Sequence, residues 1–123
     1  MDGKNPLLSV FNELEYNDQR GAMQNNSDEL EIIHNPAEKR FETWIDGKLS
    51  KLDYLEDGNT IVMTHVGVHP ELRGHGVAGK LTEVALEYAR GKSLRVIPMC
   101  SYVVTYIRRN PQFAELTKQR SGN

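Results

Sequence analysis

The densest group of residues able to do chemistry is Arg73-Gly74-His75-Gly76-Val77-Ala78. Small residues leave backbone N–H groups uncovered. Where such a run opens a helix, those groups and the helix dipole favour an anion, a phosphate above all. The same residues serve equally as a plain glycine-rich turn. Cys100 follows Pro98 at the end of an apolar run and precedes a helical stretch. A thiol so placed can become a nucleophilic thiolate, or it can pack as a small hydrophobe. His65, His69 and His75 do not make a metal set, because the H-x-x-x-H spacing needs a helix face and here falls on a strand and a turn.

Gly74-His75-Gly76-Val77-Ala78-Gly79 also matches G-x-G-x-x-G. A dinucleotide site requires the first glycine at the strand end and an acidic residue at the end of the next strand. His69 to Arg73 intervene here, and the next strand ends in Val96-Ile97-Pro98 without an acid. The pattern therefore excludes a nicotinamide dinucleotide.

The elements that must position these residues follow from periodicity and turns. Residues 1–27 read as an extension, with a short helix carrying Leu7, Val10, Phe11 and Leu14 on one face and a polar linker after it; residues 28–123 read as the domain. Leu30–His34 is a short strand, and Arg40–Ile45 alternates with Phe41, Thr43 and Ile45 on one face. Asp46-Gly47 predicts a type I′ hairpin into Lys48–Glu56, and Asp57-Gly58-Asn59 turns into the apolar strand Thr60–Val68, expected inside the sheet. The period then lengthens to that of a helix over Gly76–Arg90, with Val77, Leu81, Val84, Ala85 and Tyr88 on one face and Gly91 as C-cap. Leu94–Ile97 is a fifth strand and Tyr102–Arg109 a second helix, closed by Asn110-Pro111. The order β-β-β-β-α-β-α is an α/β domain with a parallel strand–helix–strand crossover.

Arg73-Gly74-His75-Gly76-Val77-Ala78 fits Q/R-x-x-G-x-G/A, and this resembles the acyl-CoA pyrophosphate loop of the GNAT superfamily of N-acetyltransferases. Thr64-His65-Val66, Pro98-Met99-Cys100-Ser101-Tyr102 and Tyr106-Ile107 extend the likeness to the minimal single-domain subfamily similar to the YjdJ type, over about Leu30 to Phe113. Asn110 stands where the subfamily pattern H-P-x-[YF] has a histidine. The resemblance implies a GNAT-like mixed sheet, acetyl-CoA as cosubstrate and an amine acceptor: a protein lysine, an N-terminus or a small molecule. It places pyrophosphate contacts on Arg73, Gly74, His75, Gly76, Val77 and Ala78. It gives the thioester carbonyl to backbone N–H groups of Val66, Gly67 and Val68, with Gly67 suited to a bulge that splays the strand. His65 is the base candidate for the amine proton, or a histidine merely packed on a strand while solvent takes the proton. Tyr106 reads either as the acid that protonates the departing thiolate or as a core tyrosine beside Val103 and Ile107. Cys100 completes the catalytic candidates.

Composition narrows the field without naming an acceptor. A chain of 123 residues with 38% hydrophobic and 26% charged residues makes one soluble globular domain. No apolar run approaches the ~20 residues of a membrane span, and no secretory signal pattern opens the chain. A net charge of −2 argues against nucleic acid as main partner. Cys100 is the only cysteine, which fits a cytoplasmic protein without an internal disulfide. A non-catalytic acyl-CoA-binding module is the alternative from a different class, and release of CoA with time separates the two.

Overall fold

The computed structural model describes residues 30–118; the N-terminal helix expected around Leu7–Leu14 lies outside them. Five strands form one sheet in sequence order: β1 (Ile33–Asn35), β2 (Arg40–Ile45), β3 (Lys48–Asp57), β4 (Thr60–Gly67) and β5 (Arg95–Pro98). The first four make an antiparallel meander, and β5 lies parallel to β4. Between them the chain passes through a 3₁₀ turn (Pro70–Leu72) and helix α1 (Val77–Gly91). Helix α2 (Ser101–Arg109) and a 3₁₀ segment (Pro111–Thr117) follow β5. The mixed sheet and its element order are those expected from the sequence.

Local chemistry explains most of the boundaries. Asp46 and Gly47 take φ 52° and 75°, the positive values a type I′ turn demands, so β2 and β3 pair from Ile45↔Lys48 onward. That register puts Phe41 opposite Leu52 and Thr43 opposite Ser50, and all four are buried. Phe41 and Leu52 join Tyr54, Ile61, Met63 and Val96 from the sheet, Leu81, Ala85, Leu86 and Ala89 from α1, and Val103 and Ile107 from α2 in one core. On the opposite face of β2, Glu42 is buried. It collects Arg40 Nε (2.6 Å), Trp44 Nε1 (3.2 Å) and Asn35 Nδ2 (3.3 Å), and these donors take the place of water. The Arg40 guanidinium holds the Glu42 carboxyl below its ordinary pKa, against the upward push of burial.

Four local expectations need correction. The first strand is Ile33–Asn35 and not Leu30–His34, because pairing with β2 begins only at Ile33↔Glu42. The buried stripe of α1 runs through Val77, Leu81, Thr82, Ala85, Leu86 and Ala89, whereas Val84 and Tyr88 are half-buried at its margin. Gly91 is not the C-cap; it is the last helical residue, and Ser93 takes the left-handed conformation at φ 57°. Leu94 N–H then donates to Ala89 O (2.8 Å) and Ser93 N–H to Arg90 O (3.1 Å), which is a Schellman ending that tucks Leu94 into the core. The bulge, finally, sits at Thr64 and not at Gly67. Met63 pairs with Tyr54 and His65 with Asp53, so Thr64 is the extra residue, and its hydroxyl donates to Asp53 O (3.2 Å).

Past α2 the sequence suggested only a stop at Asn110-Pro111. Asn110 makes that stop: its Nδ2 donates to Tyr106 O (2.8 Å) and its own N–H to Ile107 O (3.1 Å). The 3₁₀ segment it opens buries Phe113 and Leu116, and Arg95 Nε donates to Thr117 O to hold it against β5.

Candidate active site

Strand β4 has a partner on each side only for part of its length. Its pairing with β5 ends at Met63↔Pro98, while its pairing with β3 continues to Gly67↔Lys51. Met63 O then receives both Met99 N–H (3.0 Å) and Cys100 N–H (3.2 Å) as the chain turns off the sheet toward α2. Beyond Met63 the two parallel strands part, and among the described residues the β5-side edge of β4 has no strand partner.

The bulge decides which backbone groups face that gap. Asn59 O and Met63 O both accept from the β5 side, so odd-numbered residues face β5 before the bulge. After it, His69 N–H reaches Ser50 Oγ on β3 (3.1 Å), so odd-numbered residues now face β3. Alternation along a strand then directs the N–H groups of Val66 and Val68 into the gap. Without the extra residue at Thr64 they would be spent on β3.

The gap continues into an open cleft of about 600 Å³. It is lined by His65, Val66, Gly67 and Val68 from the end of β4 and by Leu72, Arg73 and Gly74 from the loop. Gly76, Val77, Ala78 and Gly79 line it from the start of α1, and Tyr102 from α2. Gly74 and Gly76 adopt φ 83° and 78°, left-handed values that glycine reaches without strain and that most side chains resist. Gly76 is the N-cap of α1 and brings no side-chain cap; the first helical bond is Lys80 N–H to Gly76 O (3.0 Å). The N–H groups of Val77, Ala78 and Gly79 therefore have no acceptor within the helix and open on the cleft with the positive end of the dipole. Arg73 brings a guanidinium to this lining.

The loop that carries these groups is tied down at His69. Its N–H donates to the fully buried Ser50, its Nδ1 accepts Glu71 N–H (3.1 Å), and its carbonyl accepts Leu72 N–H (2.8 Å). His69, read from the sequence as a loop residue, is thus the cap of the Pro70–Leu72 turn.

Of the candidates from the sequence, the structure gathers His65, Val66, Gly67, Val68, Arg73, Gly74, Gly76, Val77 and Ala78 around one cleft. The His65 ring lies over Gly67: a methyl group there would stand 3.0 Å from His65 Nε2. His75, Cys100 and Tyr106 are not among the lining residues. His75 is exposed. Cys100 is the half-buried N-cap of α2 and packs against the core. Tyr106 lies one turn beyond Tyr102, with its ring 6.3 Å from those of Tyr102 and Phe113. Tyr102 is the lining residue of chemical interest that the sequence did not single out. The i, i+4 spacing of the two tyrosines put both on one helix face, but only packing shows which one reaches the cleft.

Comparison with known proteins agrees with this architecture. Residues 40–116, more than half of the chain, match the family model of the GCN5-related N-acetyltransferases. The fold is similar to the solution structure of a GCN5-like protein of Staphylococcus aureus provisionally assigned as an N-acetyltransferase. That similarity has a TM-score of 0.59 and 29% identity, over 76% of this chain and 93% of the other. A parallel β4–β5 pair that splays beside a bare helix N-terminus, inside a sequence that matches over the same span, leads to one assignment: the chain belongs to the GCN5-related N-acetyltransferase family.

Proposed function

We propose that the protein transfers an acetyl group from acetyl-CoA to an amine, on a protein lysine, an N-terminus or a small molecule. The observation that carries this reading is the continuity of the splay after Met63 with the uncapped first turn of α1 in a single cleft. The two ends of that cleft suit the two ends of an acyl-CoA. The free N–H groups of Val77, Ala78 and Gly79, with Arg73 beside them, would take the pyrophosphate. Acetyl-CoA supplies an activated acyl group as a thioester.

At the other end the N–H groups of Val66 and Val68 are fixed by the bulged strand and point into the gap. Donors held in place this way stabilise negative charge on a carbonyl oxygen without reorganising. His65 borders the cleft, exposed, where an incoming amine could pass it a proton. Cys100 lies beside the splay through its N–H bond to Met63 O. Full turnover in Cys100→Ser would assign direct transfer to the amine, and loss of turnover with acetyl-CoA binding retained would assign a role to the thiol.

The deciding experiment follows free CoA with a thiol reagent while a panel of amines is offered. Amine-dependent release of CoA, with the acetylated product seen by mass spectrometry, is the expected result. Binding of acetyl-CoA without release against any amine would overturn the catalytic reading in favour of a binding module.

A further inference from the structure

Two tyrosines one turn apart on α2 flank Gly79 in the first turn of α1, and they meet it differently. A methyl group at Gly79 would lie 3.6 Å from the Tyr102 hydroxyl oxygen but 3.7 Å from a ring carbon, Cε1, of Tyr106. Tyr102 thus brings its polar tip to the helix N-terminus, whereas Tyr106 brings the edge of its ring. Tyr102 is also the one that lines the cleft. The Tyr102 side chain is 38% exposed and its hydroxyl makes no hydrogen bond among the described residues, so the donor is open to a ligand in the cleft. From the geometry, and resting on the acyl-donor reading of the cleft, we infer that the Tyr102 hydroxyl donates a hydrogen bond to an oxygen of the acyl carrier next to its pyrophosphate, while Tyr106 is a positioning residue that packs against it.

The surroundings of each ring fit this division. Burial pushes the Tyr102 hydroxyl above its ordinary pKa, with Arg109 pulling weakly the other way, so it remains a donor at neutral pH. Tyr106 is raised first by burial and then by Glu83, Tyr102 and Glu87. The two carboxylates lie one and two turns beyond Gly79 on α1. The Tyr106 ring is held between Tyr102 and Phe113, with centroids 6.3 Å away on each side.

The test is calorimetric titration of CoA and of acetyl-CoA into the wild-type protein, Tyr102→Phe and Tyr106→Phe, with steady-state kinetics on the same proteins. Each substitution keeps the ring and its packing, and a far-UV spectrum with the melting temperature checks the fold. Tyr102→Phe should weaken both ligands about fivefold, the effect of one net hydrogen bond, and should raise KM for acetyl-CoA by the same factor with kcat unchanged. Tyr106→Phe should leave both dissociation constants within twofold. Wild-type binding with Tyr102→Phe unchanged would overturn this inference alone, as would a loss that falls on kcat with KM unaltered. No binding by the wild-type protein would overturn the acyl-donor reading and this inference with it.

Discussion

Ser50→Ala isolates a single buried contact whose loss should be felt at the loop that leads into α1. Ser50 is fully buried on β3, and its Oγ accepts His69 N–H at 3.1 Å. His69 in turn caps the Pro70–Leu72 turn through its Nδ1 and its carbonyl, so this bond anchors the chain between the end of β4 and Arg73. Alanine removes the acceptor and leaves little else changed. A buried donor left without a partner costs about 1–3 kcal/mol. His69 is itself only half-buried, so water can reach part of the site and the lower end, about 1 kcal/mol, applies. For a domain of this size that is a fall of about 4 °C in the melting temperature. The loop becomes less ordered before it binds, so acetyl-CoA should also bind about two- to fivefold more weakly. Thermal melts with and without acetyl-CoA read both effects. A Ser50→Ala protein that melts within 1 °C of wild type and binds the ligand equally well would refute the anchoring role.

Three further perturbations probe other parts of the structure. Gly76→Asp places a carboxylate at the N-cap of α1, in a left-handed conformation that aspartate tolerates. The protein should fold but lose the rise in melting temperature that acetyl-CoA gives, and an undiminished rise would remove the pyrophosphate from this turn. Ser93→Gly relieves the positive φ of the Schellman ending, worth about 1–2 kcal/mol less about 0.5–1 kcal/mol of added unfolded-state entropy, so a gain of about 0.5–1 kcal/mol should appear in urea melts. His34 stacks on Phe41 with ring centroids 4.3 Å apart and bonds to the Tyr54 hydroxyl; burial lowers its pKa from 6.5, opposed by Glu56 and aided by Lys92. The unfolded chain therefore binds this proton first. The stability it contributes is complete above pH 6.5 and is lost as the pH falls from there through the lowered folded value. His34→Phe should flatten the melting-temperature profile between pH 7.5 and 5, and an identical slope in both proteins would show that another group sets it.

What the sequence determined by itself was everything governed by neighbours along the chain. Asp46-Gly47 and the two glycines at 74 and 76 had to turn where they did, because positive φ is a local demand that few residues meet. Alternation and helical periodicity located the strands and helices, since burying one face imposes them residue by residue. The glycine-rich loop and its family likeness followed from the same local signals. Tertiary structure decided what depends on partners distant in sequence. Thr64 is the bulge because β3 holds Tyr54 opposite Met63 and Asp53 opposite His65, and nothing in Thr64-His65-Val66 states that register. Glycine looked the natural bulge at 67 and the natural cap at 91. The bulge instead follows strand pairing, and the α1 ending is placed by burial of Leu94 two residues past the C-cap. The same is true of the two tyrosines. Spacing made Tyr102 and Tyr106 equivalent on α2, and only the packing of α2 against Gly79 turned one hydroxyl into the cleft and left the other ring as support.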